Sequence, residues 1–321
     1  MTKPLLVIAE PDGLSEAAVR LLSDVMRLQM GPYSRQALQA EITDATGILI
    51  RLGHRIDTDL LAAAKNLRFI ASPTTGLNHI DLGAAKRARV EILSLKGERA
   101  FLDDIHATAE HSWALLLSLL RRIPWAERSV LGGEWDRDAY RGGELHGKTL
   151  GIVGFGRLGS KVANYGRAFG MRVVAADPAA TLPDWVEAAD LGEVADRADV
   201  LSVHVDYNQR TKNLIGRDVL DRIKPGCLII NTSRGEVIDE PALLSGLAGG
   251  RVGGAALDVL CFENDNGKAL KNADLLRDYA RGHENLIITP HVGGATVESM
   301  AKTEIFIANK ILQFMHHPNS E

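Results

Sequence analysis

TLGIVGFGRLGSKVANYGRAFGMRVVAADP, residues 149–178, decides how this chain folds. The stretch opens on an apolar run and turns through Gly154-Phe155-Gly156-Arg157-Leu158-Gly159. It continues with a helical pattern and closes on a second apolar run that ends in Asp177. Three glycines at this spacing are a weak signal by themselves, since a turn in another α/β fold would satisfy them. The strand before, the helix after and the acid at the end of the next strand make the signal specific. Each glycine has a physical task. Gly154 permits a tight turn, Gly156 lets a pyrophosphate approach backbone that a Cβ would shield, and Gly159 lets helix and strand pack closely. The helix start then offers unpaired N–H groups and a partial positive charge to phosphate. Asp177 can accept hydrogen bonds from a ribose diol and would repel a 2′-phosphate. No arginine follows it in Asp177-Pro178-Ala179, so the reading is NAD rather than NADP.

Working outward, the same alternation fills the chain. From residue 148 six strand-like runs succeed one another with helices between: 148–154, 171–177, 199–205, 227–233, 253–259 and 286–291. Before them lie 4–10, 47–51, 67–72 and 90–95, with helices expected over 14–28, 57–66 and near 81–89. The runs are short, rich in branched side chains and apolar on both faces, as parallel strands under helices are. The pattern predicts two α/β units, the larger a doubly wound sheet. A long helix is expected over 106–124, stopped by Pro124, then a loop region over 131–147, and a last amphipathic helix over 296–315 that the pattern assigns to neither unit.

The bulk numbers agree. A length of 321 residues makes two domains the natural expectation, and 45% hydrophobic with 24% charged residues is ordinary for a globular chain. The net charge of −4 argues against a nucleic-acid partner. The basic run Lys86-Arg87-Ala88-Arg89 reads as the solvated end of a helix. Two cysteines, Cys227 and Cys261, make no disulfide framework and fit a reducing cytoplasm. The N-terminus does not read as a signal peptide. The longest apolar run, Trp113 to Leu120, is far short of the ~20 residues a membrane span needs.

Three ionisable residues follow three strand ends in the second series: Arg234 after 227–233, Glu263 beyond Asp258, and His291 after 286–290. Ligands of open α/β sheets bind at that edge. Each residue also has a plain structural reading: a surface arginine on a turn, a loop acid, a polar residue where a strand stops. Together they match what hydride transfer to a keto acid requires. A guanidinium fork holds a carboxylate and polarises a carbonyl. A histidine delivers a proton near neutral pH. A carboxylate beside it raises its pKa and fixes its tautomer.

At these residues the chain resembles the D-2-hydroxyacid dehydrogenases, the group that includes D-3-phosphoglycerate dehydrogenase, glycerate/hydroxypyruvate reductases and D-lactate dehydrogenase. The matching pieces are 145–159, Asn231-Thr-Ser-Arg-Gly235 with Val237-Ile-Asp239, Gly254 to Val259 with Glu263, and Thr289-Pro-His-Val-Gly-Gly294. Thr75 to Asp81 and Thr108-Ala-Glu-His111 match as well, so the likeness covers nearly the whole chain. The resemblance implies a doubly wound parallel-sheet Rossmann cofactor domain, residues 104–291, inserted into a smaller flavodoxin-like α/β substrate domain made of 1–103 and 292–321. It implies an NAD-dependent oxidoreductase acting between a D-2-hydroxy acid and its 2-oxo acid. Arg234 would anchor substrate, His291 would be the acid/base, and Glu263 would pair with His291. Thr75 and Gly76 would offer amides to the substrate carboxylate. Gly154, Gly156, Arg157, Leu158, Gly159, Asp177 and His204 would hold NAD, with Thr108, Thr232, Asp258 and Gly293 on the nicotinamide side. No metal is implied, and a homodimer is.

Departures are visible. No proline follows Glu263, Asp206 stands where a proline is usual, and 262–283 is longer and more polar than the pattern expects. The end at residue 321 leads to the expectation that the C-terminal regulatory domain carried by some phosphoglycerate dehydrogenases is absent. His106 and His111 pass for a helical zinc pair, but five residues on a helix put them ~140° apart. His79 lies in the substrate loop; Trp135 and Tyr140 suit a dimer contact or a loop core. Substrate choice falls to 51–55, 74–79 and 96–104, where Arg51, Arg55, Lys96 and Arg99 could reach a phosphate or second carboxylate. Two other readings share the fold: an NADH-sensing corepressor-like binding protein, and a phosphite or phosphonate-type dehydrogenase.

Overall fold

The computed structural model describes residues 3–261 and 271–316. They form two compact units: residues 3–105 with 295–316, and residues 106–261 with 271–294. The chain therefore leaves unit 1, builds unit 2, and returns.

Unit 1 is a five-stranded parallel sheet in the order β2-β1-β3-β4-β5. Its strands are β1 (Leu5–Ile8), β2 (Arg27–Met30), β3 (Gly47–Leu49), β4 (Phe69–Ser72) and β5 (Glu91–Ser94). This is the flavodoxin-like order, with its switch point between β1 and β3. Side chains alternate between faces, so each apolar run serves two cores. Val7, Ile48 and Ile70 face one layer with Leu38, Ile42, Leu60 and Ala85. Leu6, Ile8, Leu49, Phe69 and Ala71 face the other, where Ile307, Ala308 and Ile311 of the Val297–His316 helix join Leu22 and Met26. The last helix thus belongs to unit 1.

Unit 2 is a seven-stranded parallel sheet, β12-β11-β10-β9-β6-β7-β8. The strands are β6 (Thr149–Val153), β7 (Arg172–Ala176), β8 (Glu187–Ala188), β9 (Val200–Val203), β10 (Cys227–Asn231), β11 (Val252–Leu257) and β12 (Leu286–Ile288). The chain winds outward from β6 to β8, then restarts on the other side of β6 at β9. That reversal puts a crevice beyond the carboxyl ends of β6 and β9. Several helices start where an acid or a serine caps them. Ser15, Asp57, Asp81 and Asp239 each accept a first-turn amide, and Asp190 forms a capping box with Glu193.

Several expectations need correction. The helix expected over 14–28 is Glu16–Val25, and the polar stretch after it is edge strand β2. The 106–124 helix ends at Leu120. Arg122 turns the chain with φ 56°, and Pro124 sits in the first turn of a new helix, Ile123–Leu131, where its missing N–H costs nothing. Unit 2 has a seventh strand, β8, two exposed residues on the sheet edge that leave no apolar signal.

Gly47 shows how tightly the strands of unit 1 are fitted. It pairs in register with Phe69, and a Cβ on it would lie 2.1 Å from the ring. Phe69 is fully buried, edge-on to Phe314 at 5.3 Å. Gly47→Ala is expected to lower unit 1 stability by ~1–3 kcal/mol, the usual cost of overpacking. Phe69→Leu in the same chain should recover part of that loss. Chemical denaturation of both single variants and the double variant checks this, and simple additivity would contradict it.

Candidate active site

At the switch point of unit 2 the glycine turn behaves as its sequence requires. Gly154 has φ 88°, and a Cβ there would strike the His204 carbonyl oxygen at 2.7 Å. A Cβ on Gly159 would lie 2.0 Å from the Gly154 carbonyl oxygen. Gly156 is different: it is exposed, and a Cβ would meet nothing within 4 Å. It caps the Arg157–Ala168 helix without any side-chain hydrogen bond, so no side chain competes for the first-turn amides. Asp177 Oδ2 accepts the Phe155 amide at 2.8 Å, and Oδ1 caps the turn at Ala179 (2.9 Å). The carboxylate is thereby fixed beside the glycine turn, with lone pairs left for diol hydroxyls.

His204 follows β9 across from this turn. Its Nε2 hydrogen-bonds Ser202 Oγ at 2.8 Å. The residue is partly exposed overall, yet Nδ1 is buried with no partner among the described residues. Burial pushes the imidazole down to about 4. An open glycine cradle, a helix start without a side-chain cap, a fixed acid and an orphaned ring nitrogen fit a dinucleotide.

The residues expected on the nicotinamide side are grouped around Asp258, which follows β11 and is 1% exposed. Its Oδ1 accepts Thr289 Oγ1 (2.6 Å) and the Val292 amide (2.9 Å), with His111 Nε2 at 3.2 Å; its Oδ2 accepts the Gly293 amide at 2.7 Å. Burial opposes the charge, but hydrogen bonds from His111, Thr289, Val292 and Gly293 together hold the carboxyl below its ordinary value. A Cβ on Gly293 would sit 2.8 Å from Asp258 Oδ2 and 3.4 Å from Thr108, so only glycine fits. Thr232 Oγ1 bonds Ser112 Oγ at 2.7 Å, and Ser112 Oγ donates to the Thr108 carbonyl at 2.8 Å.

The loops after β10, β11 and β12 are stitched together. The Asp258 amide donates to the Asn231 carbonyl (2.9 Å), and the His291 amide donates to the Asp258 carbonyl (2.8 Å). Asn231 Nδ2 donates to the Arg234 carbonyl at 2.9 Å. A Cβ on Gly235 would lie 2.0 Å from the Leu260 carbonyl carbon. Glu240, 4% exposed, accepts the Cys261 amide at 2.6 Å. His291 has φ 53°, a left-handed backbone that a non-glycine residue adopts only when its surroundings impose it. Arg234 and His291 are half-buried. Glu263 lies outside the described residues.

In unit 1 the 74–76 turn follows β4. Thr75 is exposed and Gly76 half-buried, and no acceptor among the described residues takes either amide. His79 is 1% exposed, with Nε2 3.3 Å from Ser72 Oγ, so it supports the turn from beneath. Sequence reasoning missed the supporting shell: His111, Ser112, Asn231, Glu240 and Thr289. A polar residue one or two helical turns beyond Thr108, or just before Pro290, was the available signal. Among the described residues no cluster suits a metal ion, and no helix is long and apolar enough to cross a membrane.

Comparisons with known proteins bear on the family and the fold. Residues 113–293 match the model of the D-isomer specific 2-hydroxyacid dehydrogenase family, NAD binding domain. The chain belongs to that family. Hydroxypyruvate reductase of Thermotoga maritima is 33% identical over 305 residues, covering 94% of this chain and 96% of that protein. D-3-phosphoglycerate dehydrogenase of Mycobacterium tuberculosis is 34% identical over 317 residues; the chain spans 57% of that relative's length. Among solved structures, D-lactate dehydrogenase from Aquifex aeolicus, complexed with NAD and lactic acid, superposes with a TM-score of 0.83 at 27% identity, covering 97% of this chain and 95% of the other. The family's NAD-binding domain and its two-sheet α/β architecture are those described above.

Gly156→Ala places a methyl group in open space. It is expected to leave unfolding free energy within ~0.5 kcal/mol of the parent, while NADH affinity, read by fluorescence titration, falls ~tenfold or more. Undiminished binding would remove Gly156 from the cradle. His204 supplies a second test. The folded ring stays neutral as pH falls through 6.5 toward about 4, while the unfolded chain takes up a proton. Stability should therefore be complete above pH 6.5 and decline below it. His204→Asn is expected to make that decline shallower by up to ~1.4 kcal/mol per pH unit, as read from urea midpoints across the window.

Proposed function

We propose that this protein interconverts a D-2-hydroxy acid and its 2-oxo acid with NAD. The observation that carries the reading is the stitched edge of unit 2. Three consecutive strand ends deliver Arg234, Asp258 and His291 beside a dinucleotide cradle, with their loops bonded to one another. Bound NAD supplies or receives the hydride. Arg234 grips the acid's carboxylate and turns a donor toward its carbonyl oxygen, a geometry a planar fork provides. His291 hands a proton to that oxygen in reduction and takes it back in oxidation. Asp258 fixes the 289–293 loop so that the imidazole starts from one position. In unit 1 the Thr75 and Gly76 amides are assigned to the substrate carboxylate. That assignment makes residues 1–103 with 292–321 the substrate domain. Glu263 is assigned as the partner of His291.

We further propose a homodimer. Ile123, Val130 and Leu131 on one short helix, and Trp135 just beyond it, are 51%, 48%, 78% and 88% exposed. Such an apolar group favours a second copy. Cys227 and Cys261 are unpaired, which supports a reducing compartment such as the cytoplasm.

Oxidation of NADH in the presence of a panel of 2-oxo acids tests the activity; no turnover of any, with NADH binding intact, would defeat it. His291→Ala should cut kcat by ~10²–10⁴-fold, the usual worth of a general acid, with NADH affinity unchanged. Arg234→Lys should act mainly on the oxo acid's KM, because a point charge replaces the fork.

A further inference from the structure

Unit 1 has a crevice of its own, and its contents bear on the substrate. The order β2-β1-β3-β4-β5 puts the switch point beyond the carboxyl ends of β1 and β3, where open sheets of this kind take anionic ligands. Two features there, a helix start and an arginine, are those of an anion site, and a third ties it to the segment after β4. The Glu16–Val25 helix points its N-terminus at it. Arg51 follows β3 with its side chain only 19% exposed. The 51–56 loop is hydrogen-bonded to the segment after β4, since the Ile56 amide donates to the His79 carbonyl at 2.8 Å and the Asp81 amide to the Ile56 carbonyl at 2.8 Å.

The site is already filled from within. Glu304 of the last helix, 1% exposed, inserts its carboxyl group. Oε2 accepts the amide of Ser15, the helix cap, at 2.7 Å, and Oε1 is ion-paired with the Arg51 guanidinium. The other arm of that guanidinium donates to the Asp12 carbonyl at 2.7 Å. Glu10, at the end of β1, accepts the Arg51 amide through Oε2 at 2.7 Å. Its Oε1 is buried with no partner among the described residues, and a Cβ on Gly53 would lie 2.8 Å from it. His54 beside it is buried, and that burial lowers its pKa. An arriving second anion would thus find Arg51 already matched and two carboxyl groups facing it.

The other cations of the region offer little in exchange. Arg35 is paired with Asp57 and donates to the Arg55 carbonyl. Lys310 is paired with Glu98 at 2.5 Å, and Lys302 with Asp104 at 2.6 Å. Lys96 and Arg99 are exposed, where one ion pair is worth ~0.2–1 kcal/mol.

We infer that Glu304 and Arg51 are a specificity-determining pair: the protein's own carboxylate closes the anion site of unit 1, and the 2-oxo acid it takes has no second anionic group. The second half rests on the dehydrogenase reading above. The small unphosphorylated acids, a 2-carbon or 3-carbon oxo acid with hydrogen, methyl or hydroxymethyl at the far end, satisfy it; a phosphate ester does not.

The test uses the full chain with NADH. The kcat/KM for hydroxypyruvate should exceed that for its 3-phosphate ester by ~tenfold or more; a ratio of one or less overturns the inference. Glu304→Gln removes the internal charge and leaves Arg51 unmatched, so the ratio should move toward the ester by ~fivefold or more; an unmoved ratio in a folded variant overturns it. Arg51→Gln guards against a variant that does not fold, since a large selective loss on the ester would mean that Arg51 holds phosphate after all. If neither compound turns over, titration calorimetry of the NAD-saturated protein with 3-phosphoglycerate decides the closed site, and the dehydrogenase reading falls only if the whole panel of 2-oxo acids is inert as well. Saturable binding to the wild type overturns it, and binding only to Glu304→Gln supports it.

Discussion

The carboxylate of Asp258 is the constraint on which the rest of the unit 2 site depends. A buried charge is costly, and it is tolerated only where donors surround it. Here the donors come from His111, from Thr289, and from the amides of Val292 and Gly293. Each such charge-assisted bond is worth ~1.5–3 kcal/mol, so their sum outweighs the desolvation that opposes ionisation. The chain must therefore fold back on Asp258 within a few residues of β12. That tight return is accompanied by the left-handed backbone of His291. The strain at the proposed acid/base and the buried charge beside it are two ends of one arrangement.

The same economy of space explains the small residues around the site. Gly293 has no room for a side chain against Asp258, and Gly235 none against Leu260. Ser112 and Thr232 share a short hydrogen bond through the gap between the Ala107–Leu120 helix and the end of β10. Hydroxyls and glycines let three loops approach to backbone distance, which larger side chains would prevent. Glu240 extends this ordering to Cys261, the last described residue of the loop after β11.

How far the sequence could be read follows from what leaves a periodic trace. Buried strands do, because both faces are apolar: β1, β4, β6 and β9 stand out as runs. The glycine turn does, because three positions carry independent steric demands. Edge strands do not. β2 reads Arg-Leu-Gln-Met and β8 is two exposed residues, so neither repeats an apolar period. Arg122 left no mark either, since a left-handed arginine is a tertiary outcome, and Pro124 pointed to an ending when it was a beginning. The placement of Arg234 and His291 just beyond strand ends was legible. His111 was not: its spacing from His106 suggested a metal pair to be dismissed, whereas its partner is a carboxylate 147 residues away in sequence, beyond any local pattern.

The two sheets obey one topological rule and apply it in opposite ways. Each winds outward, reverses, and leaves a crevice at the reversal. In unit 2 the chain keeps that crevice open: Gly156 faces empty space and His204 holds a buried nitrogen with no partner among the described residues. In unit 1 the equivalent place is occupied by Glu304, Arg51 and Glu10. Both solutions answer the same electrostatics. A helix N-terminus beside a basic residue favours a negative charge, and that charge comes either from a ligand or from the chain itself. A carboxylate carried on the last helix is always present at its site, whereas a ligand binds and leaves. The internal acid therefore ties the returning C-terminal helix to the first helix and to β3. It converts a ligand crevice into a joint within unit 1.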